Sequence, residues 1–413
     1  MGRRVVGIAD SDSFVKWGAS LLDSLPDDWE LTLVVVASAL TASPRQVADA
    51  VAHTRFGKGG TRFLTVAELL ADSEVSRADA VLVACRGPVA EVILHALARR
   101  GPERPVLVSG LPGISIPAKW KGIFYRAQAD LFVLHSHREV AAYDELAREH
   151  DTPVEFVLAT LPFARAASSA PKPDRPRDSI IFAAQAIVPR ERPDRLRLVG
   201  QLCELARRHP DLRVVLKVRA LLGEEQTHAE SYPLPDLLPA DAPPNLIVEA
   251  GPMRGHLRRA AGFASVSSTA VLEAAALGVP SILLDDFGVG AETITEVFVG
   301  SGLLAPSDDL LNLRFPQLEP GWLAQNYFHA VEDNTFQGRL SDLMADRDNS
   351  RLVVRRPARR SRGGALRRAW DRRHALGRHD PSALGLVALV IGWPMFVIRR
   401  RRRALVAAKA AEA

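Results

Sequence analysis

Two runs of alternating strand and helix patterns, separated by a polar break, constrain this chain more than any other feature. In the first half, apolar runs at Arg4–Ala9, Trp29–Ala37, Ala78–Ala84, Pro105–Ser109, Asp130–His135 and Val154–Leu158 read as strands. Helical patterns at Phe14–Leu25, Pro44–Thr54, Val66–Ala71, Val89–Arg99 and Arg138–His150 fall between them. This spacing points to a parallel, doubly wound sheet.

Ala164–Arg177 is dominated by Ala, Ser, Pro, Lys and Arg and keeps no apolar period, so it reads as a linker. Alternation then restarts. Strands are expected at Ser179–Ala184, Leu212–Lys217, Asn245–Val248, Phe263–Val266 and Ile282–Leu284. Helices are expected at Arg195–Arg208, Gly255–Ala261, Ala291–Phe298 and Gly321–Phe328. A chain of 413 residues is too long for one ordinary core. The expected fold is α/β, with two Rossmann-like parallel-sheet domains facing a cleft. The boundaries are 1–163 for the first domain, 164–178 for the linker, 179–345 for the second domain and 346–413 for a tail.

The formal net charge of +5 hides an asymmetry. Residues 347–413 carry 17 Arg and 1 Lys against 3 Asp and 1 Glu, a net of +14, which leaves −9 on residues 1–346. The body is acidic and the tail strongly basic. With only 15 Phe, 6 Trp and 4 Tyr, a stacking surface for single-stranded nucleic acid is not expected. Cys85 and Cys203 sit in apolar surroundings in separate halves and read as buried, reduced thiols. No Cys/His cluster has metal-ligand spacing. The Gly57–Lys58–Gly59–Gly60 cluster lacks the order of a P-loop, and His135 and His137 read as structural. Val5–Ile8 is too short for a signal-peptide core, so a cytoplasmic body is expected.

The stretch Ser265–Pro280 carries the most specific chemistry. It reads as a hydroxyl-rich turn, a short helix and a Gly278-x-Pro280 stop before the strand at Ser281–Leu284. Ser267, Ser268 and Thr269 stand where they can cap the helix, and free N–H groups with the helix dipole make an anion site. Glu273 lies one turn in.

This combination resembles the donor-binding helix of GT-B glycosyltransferases. Ile180–Gln185, His209–Arg219 and Ala129–Tyr143 add to the likeness. Residues 4–330 resemble a bacterial family assigned to glycosyl transfer. A looser likeness reaches capsule-type sialyltransferases and CDP-glycerol glycerophosphotransferases. Where those relatives often carry a Lys-Pro-His-Pro-like turn, this chain has Lys217–Val218–Arg219. The donor nucleotide therefore stays open among CMP, CDP, UDP and GDP.

The resemblance implies a nucleotide-sugar as substrate, with no tightly bound cofactor and no metal. Transfer without a metal needs a base on the acceptor hydroxyl and positive charge or N–H groups on the leaving phosphate. Asp12, then Asp10, are the candidate bases in the loop after the first strand, provided that burial or a neighbouring carboxylate raises the pKa. Capping of the next helix by Asp10 or Ser11 is the competing role. Lys217 and Arg219 would clamp the phosphate, and Ser267, Ser268 and Thr269 would donate to it. Glu273 would accept from ribose or sugar hydroxyls, and Gln185 would contact the nucleotide. Gly110 and Gly113, in the acceptor-side loop, would let a ligand approach the backbone.

In the tail, residues 382–398 form an apolar stretch of 17 residues, about 25 Å as a helix and short of the roughly 30 Å bilayer core. Arginines flank it, including Arg399, Arg400, Arg401, Arg402 and Arg403. An interfacial anchor on anionic lipid is the preferred reading, with a short span or docking on protein as alternatives. The expected function is transfer of a sugar from a nucleotide donor to a lipid-linked or cell-envelope glycan, by an enzyme peripheral on the inner face of the membrane. A glycerophosphotransferase, a sugar-nucleotide epimerase and a membrane-tethered binding protein on the same frame are the alternatives.

Overall fold

Strands made almost wholly of Val, Ile, Leu and Ala cannot show a face to water, and parallel sheets covered by helices on both faces are where such strands settle. The computed structural model of the chain, which describes residues 2–161, 177–218, 231–353, 355–358, 364–380 and 382–392, contains two of them. The first sheet has seven strands: β1 (Arg4–Ala9), β2 (Glu30–Val36), β3 (Thr61–Leu64), β4 (Ala80–Ala84), β5 (Val106–Gly110), β6 (Leu131–Leu134) and β7 (Phe156–Leu158). Their order is β3-β2-β1-β4-β5-β6-β7 and every pairing is parallel. Side chains alternate faces. Val5, Ala9, Leu33, Val35 and Leu82 enter one apolar cluster, and Val6, Ile8, Val34, Val36 and Val83 enter the other.

The second sheet has six strands: β8 (Ser179–Ala183), β9 (Arg213–Lys217), β10 (Leu246–Glu249), β11 (Ala260–Ser265), β12 (Ser281–Leu284) and β13 (Leu304–Ala305). Their order is β10-β9-β8-β11-β12-β13, again all parallel. Ile180, Phe182, Val214, Leu216, Ala264 and Ile282 pack on one face against Leu198, Leu202 and Leu205 of the Arg192–Arg208 helix.

The chain divides into two compact units. One comprises Met1–Leu134, Val140–Ala159 and Asn334–Ala413, and the other His135–Glu139 and Thr160–Asp333. The described residues after 333 thus belong with the first sheet, earlier than the boundary at 345 read from the sequence. The Phe336–Asp348 helix explains why: Phe336, Leu340 and Met344 fall on one face and are buried in the first unit's core. The basic segment that follows stays on this unit. Arg347 pairs with Asp79 at 2.7 Å, and Arg104, itself paired with Asp130, donates to the Val353 carbonyl at 3.0 Å. Ala375 and Leu376 of the Gly364–Leu376 helix close the second apolar cluster.

The helix expected at Ala291–Phe298 is absent. Only Glu296–Phe298 forms a 3₁₀ turn. Thr295 Oγ1 accepts from the Gly290 amide at 2.8 Å, and Ile294 takes φ 59°, so local hydroxyl bonds displace the helical ladder. Most of the expected linker, and the tail beyond 392, lie outside the described residues.

Candidate active site

In an open α/β sheet, ligands meet the carboxyl ends of the strands. In the second unit, β8, β9 and β11 are neighbours, and their carboxyl ends bring together several of the residues singled out in the sequence. Gln185 follows β8. Its Nε2 donates to Ser267 Oγ at 2.9 Å, and its Oε1 accepts from the Ser267 amide at 2.8 Å. Ser265 ends β11 and donates to the Ala183 carbonyl at 2.8 Å. Lys217 ends β9 opposite Ala183 in register, is buried, and donates from Nζ to the Val218 carbonyl at 2.5 Å. Arg219 lies outside the described residues.

The three hydroxyls do not act as one cap. Ser267 is occupied with Gln185. Ser268 Oγ accepts from the Ala270 amide at 3.3 Å. Thr269 occupies the cap position of the Ala270–Ala276 helix in αR geometry without a side-chain capping bond, and it is exposed. Glu273 sits half-buried in the first turn of that helix.

Arg195 organises this region and was invisible in the sequence, where it reads as one more helix-surface charge. It is 1% exposed. Its guanidinium donates to the carbonyls of Pro189 at 2.8 Å, Tyr232 at 2.8 Å, Gln185 at 3.1 Å and Ala186 at 2.7 Å. A planar five-donor fork suits such a cradle. It holds the loop that carries Gln185 beside a cavity of ≈ 200 Å³ lined by Ala186, Ile187, Arg190, Arg195 and Ser231.

In the first unit, Asp10 follows β1 and is fully buried. It accepts from the Arg86 amide at 3.1 Å and from Arg86 Nε at 2.8 Å, and Arg86 Nη2 reaches Ser38 Oγ at 2.9 Å. Burial pushes the Asp10 carboxyl above the usual aspartate value, with Arg86 opposing. Both oxygens are thus engaged. Asp12 is the more accessible of the two, on the first turn of the Asp12–Leu22 helix. The protein around its carboxyl also pushes it upward; Lys16 opposes and Asp49 adds to the shift. Ser11 holds the cap position of this helix without a side-chain capping bond, so neither residue is used as the competing reading supposed.

A family model described as "Putative glycosyltransferase (DUF6716)" matches residues 5–343. The chain belongs to this family. No curated protein sequence matches it. Among solved structures it is similar to a Listeria monocytogenes protein described as a "putative UDP-N-acetylglucosamine 2-epimerase", with TM-score 0.53 and 14% identity over 84% of this chain and 96% of that one. It is also similar to S. aureus MnaA, solved with UDP, with TM-score 0.52 and 11% identity over 87% of this chain and all of the other (100%). At these identities the likeness is one of fold. Two parallel-sheet α/β domains in a DUF6716 chain make this a GT-B protein of the glycosyltransferase class.

The remaining expectations divide between this DUF6716 chain's two glycines and its thiols. Gly110 ends β5, and the space above it is taken: a Cβ there would come to 2.5 Å from the Val133 carbonyl and 2.9 Å from the Trp17 ring. Its close approach therefore serves packing of the Asp12–Leu22 helix rather than a ligand. Gly113 has φ 75° and open space above it. Cys85 and Cys203 are free and buried, and burial pushes the Cys85 thiol well up, away from reactivity. Beside Cys85, Arg126 is 2% exposed, donates to the Cys85 carbonyl at 2.7 Å and lies over the Phe14 ring. Burial pushes its guanidinium down to about 10.

Proposed function

We propose that the protein transfers a sugar from a nucleotide-activated donor to a lipid-linked or cell-envelope glycan at the inner face of the membrane. Membership of the glycosyltransferase family supports the reaction class. The observation that carries the site assignment is the Gln185–Ser267 pair at the strand ends of the second sheet, with Lys217 at the end of the adjoining β9. In this reading Lys217 and Arg219 neutralise the leaving phosphate, Ser268 and Thr269 donate to it, and Glu273 accepts from sugar or ribose hydroxyls. Gln185 and Ser267 fix the turn that presents them. Asp12 takes the acceptor proton, and its raised pKa suits that role. Asp10 holds Arg86 and is the weaker candidate.

UDP is the first nucleotide to test, because S. aureus MnaA was solved with it. That protein and the Listeria protein also favour a second reading, epimerisation of a UDP-sugar. A thermal-shift screen against UDP, CDP, CMP, GDP and their sugars tests the site, since a ligand of the native state raises the melting temperature. Nucleotide release from the best donor then separates the reactions: transfer releases nucleotide faster when acceptor is added, whereas epimerisation leaves the nucleotide on the sugar. No shift with any nucleotide overturns both.

A further inference from the structure

The helix over residues 383–392 is built the wrong way round for a helix in water. Amphipathic helices turn large apolar residues inward and leave small or polar ones outside. Here the small residues are inside. Gly385 and Gly392 face the Gly364–Leu376 helix and its turn, Ala388 is buried and Leu389 half-buried; a Cβ at Gly392 would collide with the Trp370 ring, and one at Gly385 with Asp380. The large residues Leu384, Leu386, Val387, Val390 and Ile391 point outward, each between 46% and 74% exposed.

The arrangement is held in place. Asp380 is buried, and its Oδ1 accepts from Arg372 Nε at 3.0 Å and from the Ser382 amide at 3.1 Å. Arg373 donates to the Asp380 carbonyl at 2.8 Å. The turn between the two helices is therefore pinned from both sides. A contiguous exposed apolar face on a pinned element marks an interaction surface.

Its composition selects the partner. Among the described residues the outward face is wholly aliphatic, without the Trp, Tyr or Arg anchors that dominate protein interfaces. Basic residues flank it: Arg367, paired with Asp371 at 3.2 Å, and Arg368 and Arg378 are exposed on the preceding helix and turn, and Arg399–Arg403 follow in the sequence. No acidic residue occurs between Asp380 and Glu412. Hydrocarbon below and anions alongside are what such a surface fits, and an anionic bilayer supplies both. Among the described residues no helix is long and apolar enough to cross a membrane.

We propose that helix 383–392, pinned to the Gly364–Leu376 helix, seats its Leu384, Leu386, Val387, Val390 and Ile391 face in the interface of an anionic bilayer, with Arg367, Arg368 and Arg378 on lipid phosphates. This surface rests on the membrane-face reading of the acceptor given above.

The test is flotation of the full chain with vesicles of phosphatidylcholine alone or mixed with phosphatidylglycerol. The comparison is with a Val387→Ser, Val390→Ser, Ile391→Ser variant, whose changed side chains are exposed. The full chain is expected to float with the mixed vesicles, more weakly with phosphatidylcholine, and less as salt rises. The variant is expected to lose at least about ten-fold in affinity. In a Val390→Trp chain, tryptophan emission is expected to shift to the blue with mixed vesicles. Equal flotation of the triple variant overturns the proposal, because arginines alone then suffice. So does failure of both to float, or a dimer of the full chain that the variant disperses. Thermal shifts with UDP-sugars, run without vesicles on the same proteins, report separately on the donor site.

Discussion

Gln185 grips Ser267 at two points, donating to its hydroxyl at 2.9 Å and accepting from its amide at 2.8 Å. One side chain thereby ties the hydroxyl turn to the loop after β8. Gln185→Ala leaves the Ser267 amide without its acceptor at a position only 4% exposed. The expected loss is about 1–3 kcal/mol of stability in urea unfolding. Nucleotide affinity is expected to fall about ten-fold, since the turn is no longer fixed. Unchanged stability together with unchanged affinity removes Gln185 from the site.

Thr269 separates capping from ligand binding. It makes no side-chain capping bond, so Thr269→Val should change stability by less than about 0.5 kcal/mol. If its hydroxyl meets the donor phosphate, the same variant weakens the nucleotide-dependent thermal shift. A large loss of stability with intact nucleotide binding returns Thr269 to a purely structural role.

Asp12 must be ionised to accept a proton. Its carboxyl is pushed above the ordinary aspartate value, so kcat/KM should rise with pH through that raised pKa and fall on the acid side. Asp12→Asn, at an exposed position, should keep the melting temperature, lower kcat by about 10²–10⁴-fold and abolish the acid limb. An acid limb that survives in the variant belongs to another group.

Asp10 gives a stability signature of the opposite character. Its folded pKa is raised by burial, so its contribution is fully present below the unfolded value of about 4 and is lost as pH rises through the folded value. Urea unfolding across this range should show the wild-type advantage over Asp10→Asn shrinking as pH rises. A growing advantage would mean that Arg86 outweighs burial.

Arg195 holds four carbonyls with one planar group. Lysine has the charge but not the fork. Arg195→Lys should therefore destabilise by about 1–3 kcal/mol, as carbonyls are left unpaired, and weaken nucleotide binding with it. Rescue of both by lysine would show that charge alone is needed.

The sequence revealed the two sheets because parallel strands buried on both faces are continuous runs of Val, Ile, Leu and Ala. It missed β3, because Thr-Arg-Phe-Leu at a sheet edge is half-buried, with Phe63 47% exposed. It missed the Phe336–Asp348 helix: a stripe at Phe336, Leu340 and Met344 gives no address for the core it fills. At the site, the hydroxyl turn was legible as composition, but its bond to Gln185 was not, because a side chain 82 positions away leaves no periodic trace. Arg195 was hidden for a simpler reason: buried arginine is rare enough that any arginine on a helix reads as solvated.

The return of the Phe336–Asp348 helix to the first sheet sets the order of assembly. Phe336, Leu340, Met344 and Leu352 complete the core around β1 and β5, and they are made only after the whole of the second unit. The second unit, His135–Glu139 aside, is contiguous from Thr160 and can close while synthesis proceeds. The amino-terminal strands, though made first, receive this part of their core from residues that follow the entire second unit in the chain.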